Sequence, residues 1–349
     1  MPSAADEIAA AIAADGPLRF DRYLEIALYG AHGFYRAGGV AGRRGDFLTS
    51  PEVGPLFGTV LARYIGAERA RLGNPADFTV IEAGAGPGTL ARSVLAASPG
   101  LCYVAVEVSP AQRARHPDGI ASRADLPAEP VAGVVVANEL LDNLPFRLLV
   151  FDGGWREAHV DRHGDRFVEL LRPLTDPPAW LPATARLGAR VPWQEAATAW
   201  VHRAATALSA GSILAFDYVS AQTADLAGEA WRNWLRTYRG QQRGDHYLTA
   251  PGSQDITAQV ALDQLPPPAT VELQRNFLRR WGIDELVAEG RREWEASAAA
   301  PTVAAFAMRS RIREAEALCD PDGLGDFSVL RWLVPDTPAG ARRWTSEPA

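Results

Sequence analysis

Phe78-Thr-Val-Ile-Glu-Ala-Gly-Ala-Gly-Pro-Gly88-Thr-Leu90 decides the fold. Thr79, Val80 and Ile81 are β-formers in a row and read as a buried strand. An acid, Glu82, closes that strand, and Gly84-x-Gly86-x-Gly88 follows before a helix that begins at Thr89. Glycine lacks a Cβ, so the backbone turns sharply and a ligand can approach it closely. The unpaired N–H groups of the helix start then face that ligand. The dinucleotide fingerprint is G-x-G-x-x-G. Here the third glycine comes one residue early, and a carboxylate stands two residues before the first. A zwitterion carrying an ammonium and a carboxylate suits this loop better than a pyrophosphate. The competing reading is a glycine-rich turn without a ligand.

The rest of the chain has room for a large core. It has 349 residues, 47% hydrophobic and 22% charged, which allows one big domain or one domain with an insertion. The net charge of −7 gives no sign of a general nucleic-acid binder. Every basic residue is arginine, which together with abundant alanine reflects GC-rich coding rather than a substrate. Cys102 and Cys319 show no C-x-x-C spacing, so they suggest neither zinc nor a disulfide and read as small reduced core residues. No apolar run approaches the ~18 residues of a membrane span. Asp6, Glu7 and Asp15 precede the first arginine, Arg19, unlike a secretory or transit segment. A bacterial cytoplasmic protein is the expectation.

Upstream of the glycine loop, residues 3–15 read as an amphipathic helix with Ser3 as N-cap, and residues 20–30 as a helix ended by Gly30. Gly45-Asp-Phe-Leu-Thr-Ser-Pro-Glu52 reads as a lid lining the site. It also reads as a helix entry, with Ser50 capping, Pro51 at the first position and Glu52 at the positive helix end. Downstream, Cys102-Tyr-Val-Ala-Val-Glu107 is a second buried strand ending in an acid. Glu107 lies 19 residues after Gly88, the place where a nucleotide-binding fold bonds ribose hydroxyls. Asp125 follows a short segment at 120–124. Residues 131–137 are nearly all apolar, as in a strand covered on both faces. They run into Asn138-Glu-Leu-Leu-Asp142-Asn-Leu-Pro145 at a strand's carboxyl end, where open α/β sheets bind ligands.

Residues 146–151 read as a fifth strand, turning at Asp152-Gly153-Gly154 into added strands at 155–160 and 167–171. A helix is expected at 193–209 with Gly211 ending it, then a core strand at 213–218 whose end acid, Asp217, is a weak catalytic candidate. Residues 220–300 interrupt the pattern as an inserted cap containing His246, a lone histidine read as structural or solvated. Helices at 274–281 and 283–289 break at Gly282, another spans 301–319, and 325–334 is a final strand placed antiparallel at the sheet edge.

Four motifs occur in one order: Gly45-Asp-Phe-x-Thr-Ser-Pro-Glu52, Glu82-x-Gly-x-Gly-x-Gly-Thr-Leu90, Asn138-Glu-Leu-Leu-Asp-Asn-Leu-Pro145 and Asp255-Ile-Thr257. Together they resemble the MidA family of class I S-adenosylmethionine (SAM)-dependent methyltransferases over roughly residues 15–335. The glycine loop departs from the family pattern at Ala85 and Pro87, and Val219 stands where a glycine is expected. The resemblance implies an α/β fold: a class I methyltransferase Rossmann-like sheet with helices on both faces, an N-terminal helical lid and an inserted substrate-facing cap. The expected division is a lid segment at 1–75, a core at 76–219 and 301–335, a cap at 220–300 and a disordered tail at 336–349.

The resemblance also implies SAM as cofactor. Asp46, Thr49, Ser50 and Pro51 would close over it. Glu82, Gly84, Gly86, Gly88 and Thr89 would hold its amino-acid end, Glu107 its ribose and Asp125 its adenine amino group, with Asn138 beside the methyl. Glu139 matches the glutamate with which protein arginine methyltransferases grip a guanidinium. Asp142 is a second catalytic candidate, or with Asn143 merely caps the turn. Mitochondrial members of the family are complex I assembly factors that methylate an arginine of a complex I subunit, so the implied partner is a protein substrate; the oligomeric state stays open, a homodimer among the options. Nucleic acid, membrane and metal are not expected. A methyltransferase acting on a small molecule or another side chain, and a non-enzymatic SAM-sensing assembly factor, stay open.

Overall fold

The computed structural model describes residues 2–37, 49–240, 242–297, 299–300 and 302–336. The expected lid residue Asp46 and, from residue 337 on, the expected disordered tail lie outside them. The centre is a seven-stranded sheet: β1 (Thr79–Ala83), β2 (Cys102–Val106), β3 (Ala121–Arg123), β4 (Val131–Asn138), β5 (Leu208–Asp217), β6 (Thr270–Leu273) and β7 (Ser328–Val334). Across the sheet they run β3-β2-β1-β4-β5-β7-β6. All pairs from β3 to β5 are parallel, whereas β7 is antiparallel to both β5 and β6. This is the expected class I sheet. The strand order reverses between β1 and β4, the topological switch at which such sheets open a crevice.

Alternation along the strands sends successive side chains to opposite faces. Val80, Val134, Val136, Leu214 and Phe216 pack on one face, against α2 (Pro55–Arg71) and α3 (Thr89–Ala97). Ile81, Val135, Ala137, Ile213 and Ala215 pack on the other, against α4 (Glu195–Thr206). Both faces are therefore covered, which is why β4 reads as an unbroken apolar run. Strand contact in the middle of the sheet is close: a Cβ at Gly133 would sit 1.9 Å from the Thr79 carbonyl oxygen, and one at Gly211 1.7 Å from that of Gly133. Gly211 (φ 138°) thus lies within β5, just past a register shift between Leu208 and Ala210, rather than ending a helix.

The strands expected to extend the main sheet after residue 145 do not join it. Leu18–Arg19, Arg147–Phe151, Trp155–His163, Arg166–Pro173 and Arg190–Trp193 form a separate five-stranded antiparallel sheet. It shares a core with α1 (Ala4–Asp15), capped by Ser3 and Asp6, and with the small sheet built from Leu235–Arg239, Gln242–Arg243 and Asp255–Ala258. The region expected as one cap at 220–300 also divides. Its first part carries that small sheet, but Thr270–Leu273 is a strand of the main sheet. β7 is consequently one strand in from the edge. Cys102 is exposed and Cys319 half-buried, so neither is the core residue expected. No helix among the described residues is long and apolar enough to cross a membrane.

Candidate active site

The carboxyl ends of β1, β2, β3 and β4 open onto one cavity of about 280 Å³, lined among others by Glu82, Gly86, Glu107, Asp125, Asn138 and Glu139. The glycine loop forms its floor. Gly84 and Ala85 both donate backbone N–H bonds to the Val106 carbonyl, at 3.0 Å, which ties the loop to β2. Gly86 holds φ 51°, and a Cβ built on it meets nothing within 4 Å. Gly86 lines the cavity, so glycine there meets both a left-handed backbone and an open approach for a ligand. Gly88 differs: at φ 81° it is the N-cap of α3, its missing Cβ would lie 2.9 Å from Pro117, and it does not line the cavity.

Glu82 is 5% exposed and accepts the Tyr103 hydroxyl at 2.8 Å. Burial pushes its carboxyl up to about 8, against the lowering hydrogen bond from Tyr103. Glu107 takes backbone N–H bonds from Gly86 (2.9 Å) and Ser109 (2.8 Å), and burial raises it despite them. Its carboxylate thus shapes the glycine loop as well as facing the cavity. Asp125 reaches the cavity while ion-paired at its rim with Arg203, which also lines it.

Thr49, Pro51 and Glu52 border the cavity, and Glu52 accepts the Thr89 hydroxyl at 2.5 Å, fastening this segment to the start of α3. Ser50 is not the N-cap expected. Thr49 takes that place, and Ser50 is the first residue of the short helix Ser50–Val53. Its hydroxyl is buried against Gln274 Oε1 (3.1 Å), and its backbone N–H bonds the Glu139 carboxyl, so it supports the site without lining it.

Glu139 stands at the end of β4 with φ 51°, a left-handed conformation that costs a residue with a side chain about 1–3 kcal/mol. Asn138 Nδ2 donates to Glu139 Oε1 at 3.0 Å. Burial first, then the charge of Asp142, push the Glu139 carboxyl up to about 8. Asp142 is 4% exposed and lies behind the cavity wall rather than on it. Burial and the charges of Asp217 and Asp255 hold it well above the usual carboxylate range, and Oδ1 has no hydrogen-bond partner. Asp217 accepts the backbone N–H groups of Leu141 (2.9 Å), Asp142 (3.4 Å) and Tyr218 (2.9 Å). It splints the loop after β4 and is not among the cavity residues. His246 is likewise remote, its Nδ1 accepting from Leu248 N and its ring packed on Tyr247. Tyr29, Tyr35, Asn143 and Trp200 complete the wall. Tyr29 arrives through a π-helical turn, Glu25–Tyr29, which no periodicity announces, whereas Asn143 and Asp255 belong to the motifs Asn138–Pro145 and Asp255–Thr257.

A family model for SAM-dependent methyltransferases matches residues 60–277. The chain belongs to this family, the MidA-like methyltransferases. A protein named protein arginine methyltransferase NDUFAF7, mitochondrial, from Danio rerio is 26% identical, over 93% of this chain and 86% of that protein. The Drosophila melanogaster homologue of that name is 30% identical over 46% of this chain, a match spanning less than half (45%) of the relative's length. A crystal structure of a COG1565 superfamily member from Burkholderia thailandensis, bound to S-adenosyl-homocysteine (SAH), superposes with TM-score 0.81 at 27% identity, covering 96% of this chain and 92% of that one.

The cofactor of this MidA-family methyltransferase is SAM, and the cavity fits it. Asn138 Oδ1 is buried on the cavity wall without a hydrogen-bond partner, as an acceptor awaiting an ammonium would be. Gly86 leaves the open space that a close backbone contact needs. The glycine loop, Glu82 and Asn138 would hold the amino-acid end, Glu107 the ribose, and Asp125 the base. Replacing Glu107 by Ala should weaken SAH binding about 10–100-fold in calorimetric titration, the value of hydrogen bonds to a charged group. Unchanged affinity would remove Glu107 from the cofactor site.

Proposed function

We propose that the protein transfers a methyl group from SAM to an arginine guanidinium of a protein substrate, with Glu139 as the residue that holds the acceptor. One observation carries this reading. Glu139 presents a carboxyl to the cofactor cavity from a left-handed backbone position, with Asp142, Asp217 and Asp255 packed behind it. Four carboxyls gathered at one end of a cavity favour a cationic acceptor, whose charge offsets the cost of ionising them. Relatives that share most of this chain's length are named as protein arginine methyltransferases, which supports the same acceptor.

A guanidinium is planar, carries its charge over a wide pH range and is a weak nucleophile. When bound, SAM supplies an electrophilic methyl. Carboxylate oxygens of Glu139 accept guanidinium N–H bonds and orient one nitrogen toward that methyl. As this nitrogen is methylated it must release a proton. A carboxyl raised to about 8 is matched to receive it. Tyr29, Tyr35, Thr49, Pro51 and Glu52 line the same cavity and leave less of it to water.

The test is transfer of radiolabelled methyl from SAM into proteins of a bacterial lysate, followed by hydrolysis and amino-acid analysis. Label in methylarginine is expected. Label only in another residue or in small molecules would replace the acceptor, and SAH binding without any transfer would replace the activity.

A further inference from the structure

Behind the cavity wall, three segments distant in sequence meet at one carboxylate. Asp255 opens the strand Asp255–Ala258 of the inserted sheet and is 2% exposed. Its Oδ1 accepts the Tyr35 hydroxyl at 2.9 Å, and both its oxygens accept from Asn143 Nδ2, at 3.2 and 3.3 Å. Asn143 in turn receives the Tyr29 hydroxyl on its backbone carbonyl at 3.1 Å. The Tyr29 and Tyr35 rings stack with centroids 5.3 Å apart and planes 21° apart. Tyr29, Tyr35 and Asn143 line the cavity, as does Glu139, whereas Asp255 does not.

We propose that Asp255 is a positioning residue for the methyl acceptor, setting through Tyr35 and Asn143 the wall that stands beside Glu139. This rests on the methyl-transfer reading and adds how the acceptor is held. A carboxylate suits the junction because its two oxygens accept several donors at once and donate none. The stacked phenol rings offer an apolar face to an alkyl stem and a π-face to a planar cation, so the wall selects a cationic side chain on a methylene chain. It also makes the inserted sheet part of the active site. Asp255 lies 112 residues beyond Asn143 and 220 beyond Tyr35, so it joins the inserted sheet to both the catalytic loop and the tyrosine wall, beside the bond that Thr257 of the same strand makes to Asp142.

Asp255 also acts on Glu139 by charge. Asp142 on the same loop, Asp217 and Tyr218 at the end of β5 and Asp255 from the inserted sheet face this group. Arg236 of the inserted sheet opposes them from beside Asp142 and Tyr218, and the Ser50 N–H bonds Glu139 directly. The charge of Asp255 raises the Glu139 carboxyl, so removing it lets Glu139 ionise at lower pH.

The experiment compares wild type, Asp255→Asn and Tyr35→Phe, using as acceptor whichever protein of the lysate the wild type methylates, with SAH titrated calorimetrically in parallel. Asp255→Asn is expected to raise the acceptor KM about 10-fold, to leave SAH affinity within about twofold, and to move the acid limb of kcat/KM to lower pH. Tyr35→Phe is expected to raise KM with no such movement, since it removes a bond and no charge. It keeps the proposal testable should the Asn variant fail to fold. Wild-type KM and pH profile in both variants would overturn the proposal, and so would a loss of SAH affinity as large as the change in KM, which would show general loosening. If the labelled residue is not arginine, the arginine assignment fails, while the KM comparison with that acceptor still decides the role of Asp255.

Discussion

Glu139→Gln should lower methyl transfer by about 10²–10⁴-fold, the range for losing a positioned acid–base group, while SAH affinity stays within about twofold. Glutamine keeps the shape and one acceptor oxygen but loses the charge that holds a cation and the site that receives its proton. The pH dependence of the wild type points the same way. In the free enzyme Glu139 is protonated below about 8, because burial and the charge of Asp142 disfavour its carboxylate. Only the carboxylate binds the guanidinium, so kcat/KM should rise with pH toward about 8 and then level. A profile flat from pH 6 to 9 would separate Glu139 from the chemistry.

The same substitution should stabilise the fold. Glu139 has a folded-state pKa raised from its ordinary value to about 8, so the folded chain holds an extra proton between the two. The stability linked to that proton is complete below the unfolded value and is lost as pH rises through about 8. Glutamine never ionises. The variant should therefore melt with the wild type near pH 5 and above it, by at least ~2 °C, near pH 9. Lost activity together with raised melting temperature at alkaline pH is the signature of a charge kept for function at a cost to the fold. Equal loss of both would mark Glu139 as structural.

Gly86→Val should abolish measurable SAH binding, weakening it by about 10²-fold or more, with the fold retained. At φ 51° a β-branched residue is strained by about 1–3 kcal/mol. No protein atom lies within 4 Å of the added Cβ, so the side chain enters space that belongs to the ligand. Relief of the backbone strain would also pull the Gly86 N–H from Glu107. Calorimetric titration reads the binding, and circular dichroism should show the same secondary structure with a melting point lowered by only a few degrees. Retained SAH affinity would mean that the loop does not contact the cofactor.

The cofactor half of the site was legible because it is made of local rules. A buried strand, a turn that needs glycine and a helix start follow one another within residues 78–90, and each is dictated by steric and hydrogen-bonding demands of neighbouring residues. The spacing to Glu107 and the apolar run of β4 come from the same repeating unit of strand and helix covered on both faces. Local patterning also marked the Ser3 cap and the break at Gly282, which is left-handed at φ 87°. Local signals mislead where a residue's surroundings come from elsewhere. Gly211 resembles a helix stop, yet it is glycine because β4 passes within contact of its absent Cβ. Ser50 resembles a cap, yet its hydroxyl is taken by Gln274, 224 residues away.

By itself, then, the sequence determined a methyltransferase sheet and the glycine loop that lines its cavity, since both depend on residues within one strand–turn–helix unit. Only the tertiary structure decided that residues 147–193 build a second sheet, that β6 returns to the first, and that Tyr35, Asn143 and Asp255 converge behind Glu139. Strand propensity states that a segment is extended, not which edge it will pair with. A buried carboxylate is chosen by donors that arrive from hundreds of residues away, and they are brought together only when the separate apolar faces find a common core.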